Sequence, residues 1–184
     1  LPAVMDYQKN QRITIVNSPL ISLVEDQVNI LEKLGIPVVS VTSTSKTSKN
    51  KVTELICNNQ VCIIYTTPET MTGEWGRELL AMLIKTDKLS RIVIDEAHSV
   101  SEWGHDFRPA YVELGYIKRE HPGIQVVSFT ATAPPRVRND VVKCLGMKNV
   151  MMFMGNLNRS NIRLEVRLCP PKERADAIVL DIQD

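Results

Sequence analysis

Two adjacent carboxylates, Asp95 and Glu96, end an uninterrupted β-branched run, Ile92, Val93 and Ile94, and His98 follows two residues later. Such a run suits a strand buried on both faces of a parallel sheet. Open α/β sheets place their ligands in the crevice outside the carboxyl ends of the strands, so the two carboxylates are positioned for a metal-bound ligand. The plain alternative is a helix start with Asp95 as its N-cap, and for His98 a hydrogen-bonded buried histidine.

Immediately downstream, Trp103, His105, Phe107 and Arg108 form an aromatic and basic cluster in a segment with little reason to be core. Aromatic rings stack on any nucleic-acid base for about 1–3 kcal/mol each, and an arginine can stack or reach a phosphate. Phe107 is read as the anchor of this loop and Trp103 and Arg108 as its contacts. The alternative, both aromatic rings packing the loop onto a sheet, stays open. Three hydroxyl residues, Ser18, Thr67 and Thr130, close other strand candidates. They can contact phosphates without reading sequence, or they can cap local turns.

The elements that must position these groups alternate along the chain. Residues 12–16 form a strand candidate, and Ile21, Val24, Val28, Leu31 and Leu34 then recur at helical spacing until Gly35 and Pro37 stop them. Residues 37–41 read as a strand and 42–50, rich in Ser, Thr and Lys, as a solvated loop that includes Lys46 and Lys49. A helix over 51–58, a strand over 61–65 and a helix over 73–85 lead to the strand that ends at Asp95. A helix over 111–120, a strand over 124–129 and a helix opened by Pro134 and Pro135 and closed by Gly146 complete the series. Right-handed crossovers then build a mainly parallel sheet with helices on both faces. The pattern changes near residue 158, which predicts one lobe over 1–157 and a linker with the start of a second lobe over 158–184.

The totals fit that reading. A chain of 184 residues, 43% hydrophobic, is long enough for one domain with a substantial core. A net charge of +1 excludes a generally basic nucleic-acid coat, so any such contact comes from a local patch. Cys57, Cys62, Cys144 and Cys169 show neither a C-x-x-C pair nor a neighbouring His, so no zinc site is expected and a reducing compartment is. No apolar run approaches the roughly 20 residues needed to span a bilayer. The chain reads as intracellular and soluble, without membrane partners.

Asp95-Glu96-Ala97-His98 matches a DEAH-type Walker B sequence, and Ser101-Glu102-Trp103-Gly104-His105-Asp106-Phe107-Arg108-Pro109 follows it. That combination closely resembles the RecQ family of ATP-dependent DNA helicases. Ser18-Pro19-Leu20-Ile21-Ser22-Leu23 with Asp26-Gln27 resembles motif Ia, Thr67-Pro68-Glu69 motif Ib and Thr130-Ala131-Thr132-Ala133 motif III. Asn158-Arg159-Ser160-Asn161-Ile162 is similar to the segment that opens the family's second lobe. Ser99 and Ser160 depart from the residues usual there, mildly.

The resemblance implies a RecA-like lobe of P-loop NTPase type, here lacking the Walker A strand and loop. It implies ATP and Mg²⁺ as cofactors, with Asp95 holding the hydrated Mg²⁺, Glu96 orienting or deprotonating the attacking water, and His98 coupling the nucleotide site to the second lobe. Single-stranded and branched DNA would meet Ser18, Pro19, Thr67, Trp103, His105, Phe107 and Arg108, while Thr130 and Thr132 relay nucleotide state. The parent would unwind duplexes 3′ to 5′ in DNA repair or recombination, in the nucleus if eukaryotic and otherwise in the cytoplasm. The 184-residue chain by itself is expected to be inactive, because no Gly-Lys-Ser or Gly-Lys-Thr sequence occurs in it. The rival readings are a degenerate, non-catalytic DNA- or protein-binding module and a DEAH-type RNA helicase.

Overall fold

A computed structural model describes residues 1–45, 47–104, 106–131, 133–155 and 161. The chain divides into two units, Leu1–Val150 and Met151–Asp184. Every element below belongs to the first, and the expected lobe boundary at 157/158 lies outside the described residues.

Helix α1 (Pro2–Asn10) leads into β1 (Ile13–Asn17), α2 (Ile21–Lys33), β2 (Val38–Val41), α3 (Lys49–Cys57) and β3 (Ile63–Thr66). Two helices, α4 (Pro68–Thr72) and α5 (Glu74–Lys85), precede β4 (Leu89–Ile94), and a 3-10 turn over Ala97–Val100 follows it. Then come α6 (Pro109–Glu113), α7 (Tyr116–Glu120), β5 (Val126–Ser128) and α8 (Pro135–Cys144).

The five strands form one sheet in the order β2-β3-β1-β4-β5, and every pairing is parallel. Parallel strands need crossovers, and the helices supply them, covering both faces as the β-branched runs require. Burial shows this directly in β1: Ile13, Ile15 and Asn17 point one way and Thr14 the other, yet all four are at most 2% exposed. Ile15, Ile64, Leu80, Leu83 and Ile92 are wholly inaccessible, and removing each such side chain from water contributes about 1.5–3 kcal/mol.

Four departures from the sequence reading have local causes. Helix α1 begins without a side-chain cap, but Pro2 presets its first turn. The Thr67-Pro68 pair, expected to end a strand with Thr67 either contacting phosphate or capping a turn, opens a short helix, because the Thr67 hydroxyl accepts the Thr70 N–H and proline follows the cap. Ser48 caps α3 through the Lys51 N–H, so that helix starts two residues early and shortens the expected loop. The helix expected over 111–120 is two. Gly115 separates them where a Cβ would stand 2.2 Å from the Cys144 carbonyl oxygen, so the chain must pass α8 at a residue without a side chain.

Candidate active site and nucleic-acid interface

The register aligns the carboxyl ends of the strands. Asn17 pairs with Thr66 on one side and Ile94 on the other, Ile94 pairs with Ser128, and Val41 pairs with Thr66. The next residues therefore line one rim: Thr67, Ser18, Asp95 and Phe129. Backbone bonds carry the ladder into that rim, with Ser18 N–H donating to the Thr66 carbonyl (3.0 Å), Asp95 N–H to Asn17 (2.9 Å) and Phe129 N–H to Ile94 (2.9 Å). Ser18, Thr67 and Asp95 thus stand side by side as the strand ends suggested. Thr130 is one residue past the rim, since Phe129 takes the in-register place.

Chain direction reverses in the middle of this rim. From β1 the chain runs outward to β2 and back to β3; from β4 it runs the other way to β5. The crevice at such a switch point is where open α/β sheets bind ligands. A cavity of about 320 Å³ opens there, and Ser18, Gln27, Tyr65, Asp95 and Phe129 are among its lining residues. Burial beside the Asp95 carboxylate raises the Tyr65 hydroxyl above its ordinary pKa, so it stays protonated beside the cavity.

Three side chains near the crevice are buried without a hydrogen-bond partner among the described residues: both polar atoms of Asn17, and the hydroxyls of Ser18 and Ser99. Each such group costs about 1–3 kcal/mol.

Asp95 leaves the sheet with Oδ1 accepting the N–H of Glu96 at 3.0 Å, and Tyr111 buttresses it from below by donating its hydroxyl to the Asp95 carbonyl at 2.9 Å. Tyr111 is fully buried, which pushes its phenol far above the ordinary range and keeps it a donor. Glu96 adopts the left-handed conformation (φ 47°, ψ 43°), unusual for a residue with a long side chain. That turn swings its carboxylate back, so that Oε2 lies 3.1 Å from Nδ1 of His98. The same Nδ1 is 2.9 Å from Oγ1 of Thr130. Nδ1 of His98 thus lies between the Glu96 carboxylate and the Thr130 hydroxyl, and its hydrogen bond is to Thr130.

The aromatic loop is fastened to this segment. The Arg108 N–H donates to the Ser99 carbonyl (2.9 Å), Arg108 Nη1 to the Pro19 carbonyl (3.0 Å) and Arg108 Nε to Asp106 (2.8 Å). Arg108, expected as a nucleic-acid contact, therefore also clasps the loop to the one after β1, where Pro19 is buried. At Gly104 the loop passes so close to the DEAH segment that a Cβ would lie 2.6 Å from the His98 carbonyl oxygen. Trp103 is 63% exposed and Phe107 41%. Phe107 is thus only half an anchor, and backbone and arginine contacts hold the loop instead. His105 and Thr132 lie outside the described residues. Sequence reading missed Tyr111, whose partner, the Asp95 carbonyl, lies 16 residues away in the chain.

The Asp95 carboxylate, half-buried on the wall of the cavity, suits magnesium: it leaves room for the water shell that Mg²⁺ keeps, and phosphate oxygens would complete it. Among the described residues no group of three or more His, Cys, Asp or Glu side chains is gathered for a multi-ligand metal site.

The DEAD/DEAH box helicase family matches residues 1–141. The chain belongs to that family. Its relatives bear out the RecQ resemblance. Over 168 residues it is 40% identical to ATP-dependent helicase SGS1 of Saccharomyces cerevisiae, covering 90% of this chain and 12% of that protein. It is 38% identical over 161 residues to ATP-dependent DNA helicase Q1 of Rattus norvegicus (85% and 26%), and 37% identical over 153 residues to ATP-dependent DNA helicase RecQ of Haemophilus influenzae (82% and 24%). The chain thus spans about an eighth to a quarter of the length of these relatives. The Pyrococcus furiosus Hef helicase domain superposes with a TM-score of 0.55 at 24% identity, over 80% of this chain and 30% of that one, which supports the helicase RecA-like fold. No helix among the described residues is long and apolar enough to cross a membrane.

Proposed function

We propose that this chain carries the hydrolytic half of the ATPase site, and the adjoining single-strand sensor, of a RecQ-type DNA helicase. Its parent would couple ATP hydrolysis to 3′–5′ translocation along single-stranded DNA and to the unwinding of branched DNA in repair or recombination. The observation that carries the reading is the continuity of one segment. Asp95 and Glu96 sit at the switch point, His98 bonds to Thr130 and lies against the Glu96 carboxylate, and Gly104 and Arg108 join the aromatic loop to that same segment.

In this reading Asp95 holds a water-shelled Mg²⁺, and Glu96 orients the attacking water through the carboxylate that His98 steadies. Bound Mg²⁺ supplies charge neutralisation at the β- and γ-phosphates. Ser18 and Thr67 meet the DNA backbone through the rim surface of their turns, since the Ser18 hydroxyl is buried, the Ser18 N–H is bonded to the Thr66 carbonyl and the Thr67 hydroxyl caps α4. Trp103 and Phe107 present ring surface to bases, and Arg108 and His105 are further contacts of the same loop. Thr130 and Thr132 pass nucleotide state to the DNA side. Residues 158–184 begin the second lobe, which completes the ATP site in the parent.

Two measurements test this. The 184-residue chain should show no ATP turnover above background, and turnover abolished by Glu96→Gln would refute its inactivity. In the parent protein, ATP hydrolysis should rise on adding single-stranded DNA and disappear with Glu96→Gln. A parent whose turnover ignores single-stranded DNA, or responds equally to RNA of the same length, is not a RecQ-type DNA helicase.

A further inference from the structure

Helix α8 touches the aromatic loop at two points that the reading above leaves unused. The guanidinium carbon of Arg136 lies 3.6 Å from the centroid of the Trp103 ring. One turn further along, Asp140 Oδ2 accepts the Ser101 hydroxyl at 2.6 Å, and Ser101 Oγ accepts the Trp103 N–H at 3.2 Å. Arg136 and Asp140 are four residues apart and so share one face of α8. The backbone of Trp103 is thereby tied to Asp140 through Ser101, and its ring to Arg136. An indole has two faces. Arg136 takes one, and Trp103 is nevertheless 63% exposed.

An exposed tryptophan on an unsupported loop would sample several rotamers, and a binding partner would have to select one. A guanidinium stacked on one face fixes the ring plane and leaves the opposite face for a base. Its charge also polarises the ring that the base would meet.

We infer that Arg136 and Asp140 are positioning residues: they preorganise Trp103 as a one-faced stacking platform for single-stranded nucleic acid. This rests on reading the aromatic loop as the single-strand contact. Arg136 acts through the ring, and a direct phosphate contact by Arg136 is the competing account. The two differ in salt dependence, because a lost phosphate contact lowers the salt slope of binding by about one while a lost ring support leaves it unchanged.

The test uses the 184-residue chain with Trp75→Phe, so that Trp103 is the only tryptophan, and oligothymidylate as the probe. Oligothymidylate should quench Trp103 emission. Arg136→Ala should shift that emission before any DNA is added and weaken binding about three- to tenfold at an unchanged salt slope. Asp140→Ala should move both readouts the same way, and Arg136→Lys should recover only part of the loss. In a Trp103→Ala background, Arg136→Ala should add nothing. If Arg136→Ala alters neither emission nor affinity, or weakens binding equally without Trp103, or lowers the salt slope by about one, the positioning role is wrong. If Trp103→Ala itself binds as tightly as the unmodified chain, the single-strand reading of the loop fails, and the positioning role with it.

Discussion

His98 and Thr130 are bonded side chain to side chain across the carboxyl ends of β4 and β5, Nδ1 to Oγ1 at 2.9 Å. The backbone repeats the connection one residue earlier, where the Ala97 N–H donates to the Phe129 carbonyl at 2.9 Å. A shift of β5 therefore reaches His98 directly, and through it the Glu96 carboxylate. A double-mutant cycle of His98→Ala and Thr130→Val, read by urea denaturation, should give a coupling of about 0.5–1.5 kcal/mol, the worth of one part-buried hydrogen bond. Strictly additive losses would mean that the two residues meet without interacting.

Glu96 holds its left-handed backbone at a cost of about 1–2 kcal/mol relative to the right-handed region. Asparagine tolerates that conformation better than glutamate does. Glu96→Asn should therefore stabilise the 184-residue chain by up to about 1 kcal/mol, after the lost contact to His98 is offset. In the parent the same change should abolish ATP turnover, since the shorter amide neither reaches nor activates the water. A destabilised Glu96→Asn chain would show that the contact to His98 outweighs the backbone strain.

The difference between what was and was not legible in the sequence follows from range. β3 and β4 announce themselves because a strand buried on both faces needs an apolar run, which Ile63, Ile64, Ile92, Val93 and Ile94 supply, and β1 does so through its alternating β-branched Ile13, Thr14 and Ile15. Strand ends announce the site for the same reason: Ser18, Thr67 and Asp95 are polar where the run stops, and the register sets them on one rim. Arg136 gave no such signal. Its partner is Trp103, on a loop far upstream, and nothing in the local spacing of α8 distinguishes a ring-stacking arginine from a solvated one. Tyr111 was equally silent, since only the folded chain brings its hydroxyl to the Asp95 carbonyl.

Acid should loosen α1 first. The Asp6 carboxylate accepts the Ser90 hydroxyl at 2.6 Å and pairs with Arg91, joining α1 to β4. The Ser90 hydrogen bond, partly opposed by burial and helped by the Arg91 charge, holds its pKa below the ordinary value of 3.8. A depressed carboxylate pKa contributes stability that is fully present above the unfolded value and is lost as pH falls through the folded one. Asp6→Asn should thus be less stable than the parent sequence by a constant amount from neutral pH down to about pH 5. The gap should close below pH 3.8. Denaturation midpoints measured across that range check it, and a gap that widens on acidification would contradict the assignment.

At Gly104 the aromatic loop passes against the DEAH segment, and its backbone leaves no space for a side chain. A Cβ there would stand 2.6 Å from the His98 carbonyl oxygen and 3.1 Å from that of Ser101, and neither neighbour is the yielding tip of a flexible side chain. The 3-10 turn cannot retreat either, because its own residues Ala97, Ser99 and Val100 are buried. Gly104→Ala must therefore lift the loop, straining the Gly104 N–H bond to the Ser101 carbonyl, at a cost of about 1–3 kcal/mol. Trp103, the preceding residue, moves with it and leaves Arg136. Stability should fall by that amount, and Trp103 emission in the Trp75→Phe background should shift as it does in Arg136→Ala. If Gly104→Ala instead leaves both stability and emission unchanged, the loop does not rest on His98 in solution, and the path from the carboxylates to the tryptophan is broken at this residue.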